Sequence, residues 1–253
     1  MTLETAAELE ALQRIGKIVA NCLQYMAQTM EPGMSTAELD DCATQFLERH
    51  GARSAPRLVY NFPGTTCISV NRAVAHGIPG EEKIAAGDLI NIDVSAELEG
   101  YFADTGSSFI VPPASPLKTQ ICQATREALT TAMKHVRSGE SLQVIGRAIE
   151  TVASRRGMSV IRNLGSHGVG RALHEEPRFI PPFCDTRDRR RLHENMVITI
   201  EPFLSNGACA VETAGDGWTL LIPEPYLAAQ YEHTMIITRG EPIILTLPDV
   251  MAS

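Results

Sequence analysis

Asp93, Asp104, His167, Glu201 and Glu232 are four carboxylates and one imidazole, standing in Asn-Ile-Asp-Val, Phe-Ala-Asp-Thr, Gly-Ser-His-Gly, Ile-Glu-Pro and Tyr-Glu-His-Thr settings. Hard oxygen donors with one nitrogen suit a pair of divalent metal ions, and such a pair points to hydrolysis by activated water. Asp93 lies inside Leu89-Ile-Asn-Ile-Asp-Val94, Glu201 inside Met196-Val-Ile-Thr-Ile-Glu-Pro202, and Glu232 just before Thr234-Met-Ile-Ile-Thr238. These are β-rich apolar runs, where a charge without a partner is costly. Carboxylates placed there need cations.

Asp93 and Asp104 also flank a short polar turn, Glu97-Leu98-Glu99-Gly100. With the hairpin centred between Leu98 and Glu99, the two acids face each other directly, their Cβ atoms about 4.5–5.5 Å apart. Opposed carboxylates repel unless something bridges them, and two ions about 3.5–4 Å apart would fit. The alternative is a hairpin with two exposed acids that tolerate each other.

The elements that must hold these residues show a repeat. Leu9, Leu12, Ile15, Val19, Leu23 and Met26 recur at helical spacing, Glu31-Pro-Gly33 ends that helix, and Ser35-Thr-Ala-Glu38 is a capping box opening a second helix that stops at Gly51. A helix from about Leu117 to Val136, then Ser138-Gly139, then a helix from about Ser141 to Arg156 ending at Gly157 repeats the arrangement. A shift of 106 positions lays Ile15 on Ile121, Leu23 on Leu129, Gly33 on Gly139, Ser35 on Ser141 and Gly51 on Gly157. Each helix pair precedes β-rich sequence, which predicts an α+β fold with a pseudo-two-fold, its curved antiparallel sheet covered by two helix pairs. The halves fall at about 5–112 and 113–240 of a single catalytic domain spanning 1–253. Asp93 and Asp104 belong to the first half and the other three candidates to the second, so the site is expected between them.

Seven blocks carry a resemblance: Asn61 to Pro79, Asn91-Ile-Asp-Val-Ser95, Gly100-Tyr-Phe-Ala-Asp-Thr-Gly106, Gly165-Ser-His-Gly-Val-Gly170, His174-Glu-Glu-Pro177, Ile200-Glu-Pro202 and Gln230-Tyr-Glu-His-Thr234. In order along nearly the whole chain, they resemble the signature blocks of type I methionine aminopeptidase. The resemblance implies the pita-bread (creatinase/aminopeptidase-like) fold and two divalent ions, Co, Mn, Fe(II) or Zn. It also implies removal of the initiator methionine from nascent polypeptides whose second residue is small. Asp93, Asp104, His167, Glu201 and Glu232 take the ligand roles, Asp104 and Glu232 bridging. His76 and His174 match the active-site histidines, and Glu201 doubles as proton carrier. For the methionine side chain the matched blocks suggest Phe62, Cys67, Phe203 and Trp218 with His76.

Two departures stand out. Val59 and Leu173 occupy positions where relatives carry aromatic residues, which predicts a more aliphatic pocket wall. Glu194-Asn195 replaces the usual Pro-Gly before the Ile-Glu-Pro strand, and Asn can take the left-handed turn conformation. The arginines at 187, 189, 190 and 191 are read as a solvated loop, with a docking patch for ribosomal RNA as the second reading.

Composition limits the remaining choices. A net charge of −8 disfavours a nucleic-acid partner held by phosphate contacts. The six cysteines are scattered without a C-x-x-C pair, which predicts reduced thiols and a cytoplasmic protein, and no run is long and apolar enough for a membrane span. There is no G-x-S-x-G, no G-x-x-x-x-G-K-[ST] and no G-x-G-x-x-G. The alternatives are a prolidase or aminopeptidase P, which ordinarily carries a large amino-terminal domain, and a non-catalytic module of the same fold, which predicts gaps in the ligand set. A type II enzyme would need an insertion in the 33 residues between His167 and Glu201. A monomer is expected.

Overall fold

The computed structural model describes residues 1–249, so the last four residues of the expected domain lie outside it. Chain order begins α1 (Ala6–Thr29), α2 (Thr36–Arg49), β1 (Arg53–Ser54), α3 (Ala55–Tyr60), β2 (Cys67–Val70), β3 (Ala73–Ala75), β4 (Leu89–Leu98) and β5 (Tyr101–Ile110). It continues α4 (Pro116–His135), α5 (Gln143–Arg155), β6 (Ser159–Val160), β7 (Ser166–Gly168), β8 (Glu175–Ile180), β9 (Val197–Ile200) and β10 (Phe203–Ser205). The last elements are β11 (Glu212–Thr213), β12 (Leu220–Leu221), β13 (Ala228–Gln230), β14 (His233–Ile236) and β15 (Ile243–Ile244).

The helix pairs form where the periodicity places them. Thr5 and Ser35 each close a capping box, with Glu8 and Glu38 returning the bond, and each cap stabilises its helix by about 1 kcal/mol. The expected cap at Ser141 differs: α5 starts two residues later, Leu142 occupies the cap without a side-chain bond, and Ser141 pairs as a strand residue with Arg191. Ser141 Oγ still accepts from the Gln143 N–H at 3.3 Å, and Ser35 makes a matching bridge with Lys83. Gly33 and Gly139 share a left-handed backbone, at φ 94° and 91°, and donate to the carbonyls of Ile84 and Leu192.

Alternation along the strands sorts residues to two faces. Ile90, Ile92 and Val94 of β4 pack with Ile15, Val19, Leu39 and Leu47 of the first helix pair, which leaves Asn91, Asp93 and Ser95 on the opposite face. In the second half Ile198, Ile200 and Leu204 pack with Ile121, Ile145 and Ile149. Each helix pair thus covers the outer face of its strands and leaves the inner face for polar groups.

The strands pair antiparallel in four sheets, and further hydrogen bonds tie the first half to the second. Glu232 N donates to Gly106 O at 2.9 Å, Thr105 Oγ1 to Glu232 O at 2.8 Å, and Asp104 N to Thr234 Oγ1 at 3.1 Å. These bonds hold β5 of the first half against the Glu232 segment and β14 of the second. Among the described residues, no helix is long and apolar enough to cross a membrane.

The hairpin register corrects one expectation. Leu98 pairs with Tyr101, so the turn is Glu99-Gly100, and both turn residues have positive φ, 52° and 84°. That is the two-residue type I′ geometry favoured by strand twist. Asp93 therefore faces Gly106 and Asp104 faces Ser95. The two acids are diagonal neighbours on the same face instead of a directly opposed pair.

Candidate active site

A cavity of about 270 Å³ opens on the inner face, and Asp93, Asp104, His167 and Glu201 line it. β4 and β5 supply the aspartates, β7 supplies His167, and Glu201 follows β9 directly. Glu232 lies just before β14, only 1% exposed, and can offer an oxygen within 4.8 Å of donor atoms from Asp104 and His167. His167 Nε2 is 3.5 Å from Glu201 Oε1 and 3.8 Å from Asp104 Oδ2. The expected ligand residues of both halves therefore converge on one place.

Burial makes this cluster costly without a cation. It pushes the Asp93 carboxyl up to about 6 and holds those of Asp104, Glu201 and Glu232 well above the ordinary carboxylate range, with mutual repulsion adding to the last three. Asp104 Oδ1 and Glu232 Oε1 are buried with no hydrogen-bond partner. Orphaned carboxylate oxygens beside an imidazole nitrogen are a donor set that fits divalent metal. His167 is prepared for the same task. Its Nδ1 lies 2.9 Å from the Gly168 carbonyl, to which an Nδ1–H would donate, leaving the Nε2 lone pair toward the carboxylates. Burial and the neighbouring His174 lower its pKa to about 3, so the ring stays neutral.

His76 and His174 also line the cavity. His76 adopts the left-handed conformation at φ 53°, uncommon for a residue with a side chain. The next residue, Gly77, packs against β2: a Cβ there would sit 2.2 Å from the Ile68 carbonyl oxygen. His174 precedes β8 and stacks on His167 with ring centroids 4.0 Å apart, 32° between planes. Burial first, then His76, lowers the His174 pKa to about 4.

Phe62, Cys67, Phe203 and Trp218 all reach the cavity. Phe62 meets Trp218 edge-on at 5.2 Å, and Asp216 fixes the Trp218 loop by accepting from the backbone N–H of Trp218 and Thr219. Leu173 lines the wall as an aliphatic residue. Val59 does not line it, and its side of α3 is exposed. Asn195 takes φ 66°, the left-handed turn conformation expected at that position. In the arginine loop, Arg187 pairs with Asp185, Arg190 with Asp188, and Arg191 donates to the Gly139 carbonyl.

Three supports were missed in the sequence. Gln230, fully buried, donates from Nε2 to Glu232 Oε2 at 3.0 Å and accepts from Asn91 at 2.8 Å. Gly106 makes room for it, because a Cβ there would lie 2.3 Å from the Gln230 amide oxygen. Thr199 accepts from His167 N at 3.2 Å and lies 3.4 Å from Glu201 Oε1. The third is Tyr60, at the end of a short helix that no periodicity announced, its hydroxyl 2.7 Å from His174 Nδ1. The signal available for Gln230 was an amide two residues before Glu232 on an apolar strand; for Tyr60 there was only its nearness to the Asn61 block.

Comparison with known proteins agrees with the site. Residues 10–239 match the family model of metallopeptidase family M24. Methionine aminopeptidase 2 of Bacillus subtilis is 46% identical over 240 residues, covering 94% of this chain and 96% of that protein. A methionine aminopeptidase structure from Thermotoga maritima superposes with a TM-score of 0.93 at 31% identity, covering 98% of this chain and all of that one. A prolidase from Pyrococcus furiosus shares the fold at a TM-score of 0.79 and 22% identity, but this chain covers only 66% of it. The fold is therefore the pita-bread fold, and the chain belongs to metallopeptidase family M24.

Proposed function

We propose that this protein is a methionine aminopeptidase, hydrolysing the first peptide bond of polypeptides that begin with methionine and carry a small second residue. One observation carries the reading. A set of four carboxylates and one imidazole, all buried but the half-buried Asp93, stands next to two histidines and an apolar wall, in a chain nearly coextensive with the Bacillus subtilis methionine aminopeptidase. The prolidase alternative is disfavoured by sequence: the chain is 46% identical to the Bacillus subtilis methionine aminopeptidase and 22% identical to the Pyrococcus furiosus prolidase. The non-catalytic alternative predicts gaps in the ligand set, and the five positions are filled.

Asp93, Asp104, His167, Glu201 and Glu232 would hold two divalent ions, Asp104 and Glu232 reaching both. When bound, such ions supply Lewis acidity toward the substrate carbonyl and make water a nucleophile near neutral pH. Glu201 takes the proton of the attacking water and passes it to the leaving amine. His174 donates a hydrogen bond to the carbonyl oxygen as negative charge grows there, and His76 steadies the peptide nitrogen. Phe62, Cys67, Phe203 and Trp218 enclose the methionine side chain in a soft apolar slot. All five ligand residues come from one chain, which supports action as a monomer, and six free cysteines support a reducing cytoplasmic setting. The local pairing of Arg187, Arg190 and Arg191 favours a solvated loop over a ribosome contact. We also read the chain as one catalytic unit with halves at about 5–112 and 113–240, supported by the matched bonds of Gly33 and Gly139.

The test is to assay the manganese-loaded protein on Met-Ala-Ser, Met-Leu-Ser and Ala-Pro-Ala. Methionine released from the first alone supports the reading. Cleavage only of the third transfers the protein to proline-directed peptidases, and no cleavage with any divalent metal sinks the enzymatic reading.

A further inference from the structure

Tyr60 has a fixed place although its residue is 43% exposed. It ends α3, which Ser54 caps by accepting from Arg57 N, and which stops where Asn61 turns left-handed at φ 57° and donates back to the Arg57 and Pro56 carbonyls. A capped turn therefore aims the tyrosine ring at His174, with centroids 5.7 Å apart and planes 56° apart, and sets its hydroxyl 2.7 Å from Nδ1.

A neutral imidazole has one N–H and one lone pair, so a bond at one nitrogen decides where the proton sits on the other. A phenol is a strong donor and a weak acceptor, whereas an unprotonated imidazole nitrogen accepts well. Partial burial, with Asp104 nearby, raises the Tyr60 pKa, so the phenol keeps its proton to give. Nδ1 of His174 is then the acceptor. We propose that Tyr60 is a positioning residue whose hydroxyl fixes His174 in the Nε2–H tautomer, so that the ring offers a hydrogen-bond donor to the substrate. The two stacked histidines are thereby set in opposite tautomers by different partners. His167, bonded through Nδ1 to the Gly168 carbonyl, keeps a lone pair for a cation, and His174, bonded to Tyr60, keeps a proton for an oxyanion. The inference deepens the proposed function and rests on His174 acting as the carbonyl donor.

The experiment compares the wild type with Tyr60→Phe, which keeps the ring and removes the hydroxyl. Long-range hydrogen–nitrogen NMR correlations on histidine-labelled, zinc-loaded full-length protein read the tautomer, with His174 signals assigned from a His174→Asn sample. Expected are the Nε2–H pattern in the wild type and a mixed pattern in Tyr60→Phe. The variant's kcat should fall about 10–100-fold, with KM, metal content and melting temperature unchanged. An Nδ1–H pattern in the wild type overturns the proposal. So does Tyr60→Phe with wild-type kcat, whether or not its spectrum changes. The tautomer readout does not depend on turnover. If no peptide is cleaved while the wild type shows the Nε2–H pattern and Tyr60→Phe loses it, the tautomer assignment is supported and the reading of the reaction is what fails.

Discussion

At the scale of single residues, the site combines groups that repel one another and supports that hold them in place. Asp104 and Glu232 each have one buried oxygen without any partner and lie among other carboxylates, which makes both positions where a cation relieves repulsion. Asp104→Asn should bind manganese at least about 10-fold more weakly and lose turnover with it; full turnover in that variant would refute a bridging role. Gln230 holds Glu232 from behind, and Gly106 gives Gln230 its space. Gln230→Ala and Gly106→Ala should each weaken manganese binding about 10–100-fold in calorimetric titration. Because both act through one amide, the double variant should be no worse than Gln230→Ala. Additive losses would show that Gly106 matters for another reason. Among the ligand candidates, Asp93, Glu201 and Glu232 stood out because charged residues in β-branched apolar runs contradict their surroundings, Asp104 stood out through the hairpin, and His167 through its Gly-Ser-His-Gly block. Gln230, Thr199 and Tyr60 were not, since a neutral polar side chain in a strand or short helix contradicts nothing until its partners are seen.

At the scale of elements, helices were easier to read than pairing. Apolar spacing located α1 and α4, and the Ser35 capping box located α2, because those signals are local. The hairpin register was misplaced by two residues because the turn stretch Glu97 to Gly100, with two glutamates and a glycine, allows more than one centre. The observed turn settles on Glu99-Gly100, where glycine carries φ 84°. Gly100→Ala should therefore cost about 1–2 kcal/mol, seen as a lower urea midpoint with an unchanged slope. Wild-type stability in that variant would mean the turn tolerates another geometry. The two-residue shift leaves both aspartates on the same face, since side chains alternate with period two, and so the error spared the site.

At the scale of the molecule, the cluster links stability to pH. The native carboxyls of Asp93, Asp104, Glu201 and Glu232 hold protons more tightly than the unfolded chain does, so their contribution declines as pH rises, from about 4 through about 6 for Asp93 and beyond for the rest. His167 and His174 act oppositely. With native values lowered to about 3 and about 4, they bind fewer protons than the unfolded chain, and their contribution rises with pH until about 6.5. Above that only the carboxylate slope remains. In chelator, the melting temperature should fall between about pH 6.5 and 8, and manganese should flatten the profile by stabilising the ionised form. A flat profile in chelator would mean that the carboxylates are better hydrated than their burial indicates.

The bonds between Thr105 and Glu232, 127 positions apart, also set an order in time. Synthesis runs from the amino terminus, so Asp93 and Asp104 leave the ribosome long before Glu232 exists. A half-made chain holds only part of the candidate ligand set, so metal binding is expected only after Glu232 has been made. Hydrolytic power is therefore expected only when translation has passed the last candidate ligand, so that an unfinished copy should leave the polypeptides growing beside it intact.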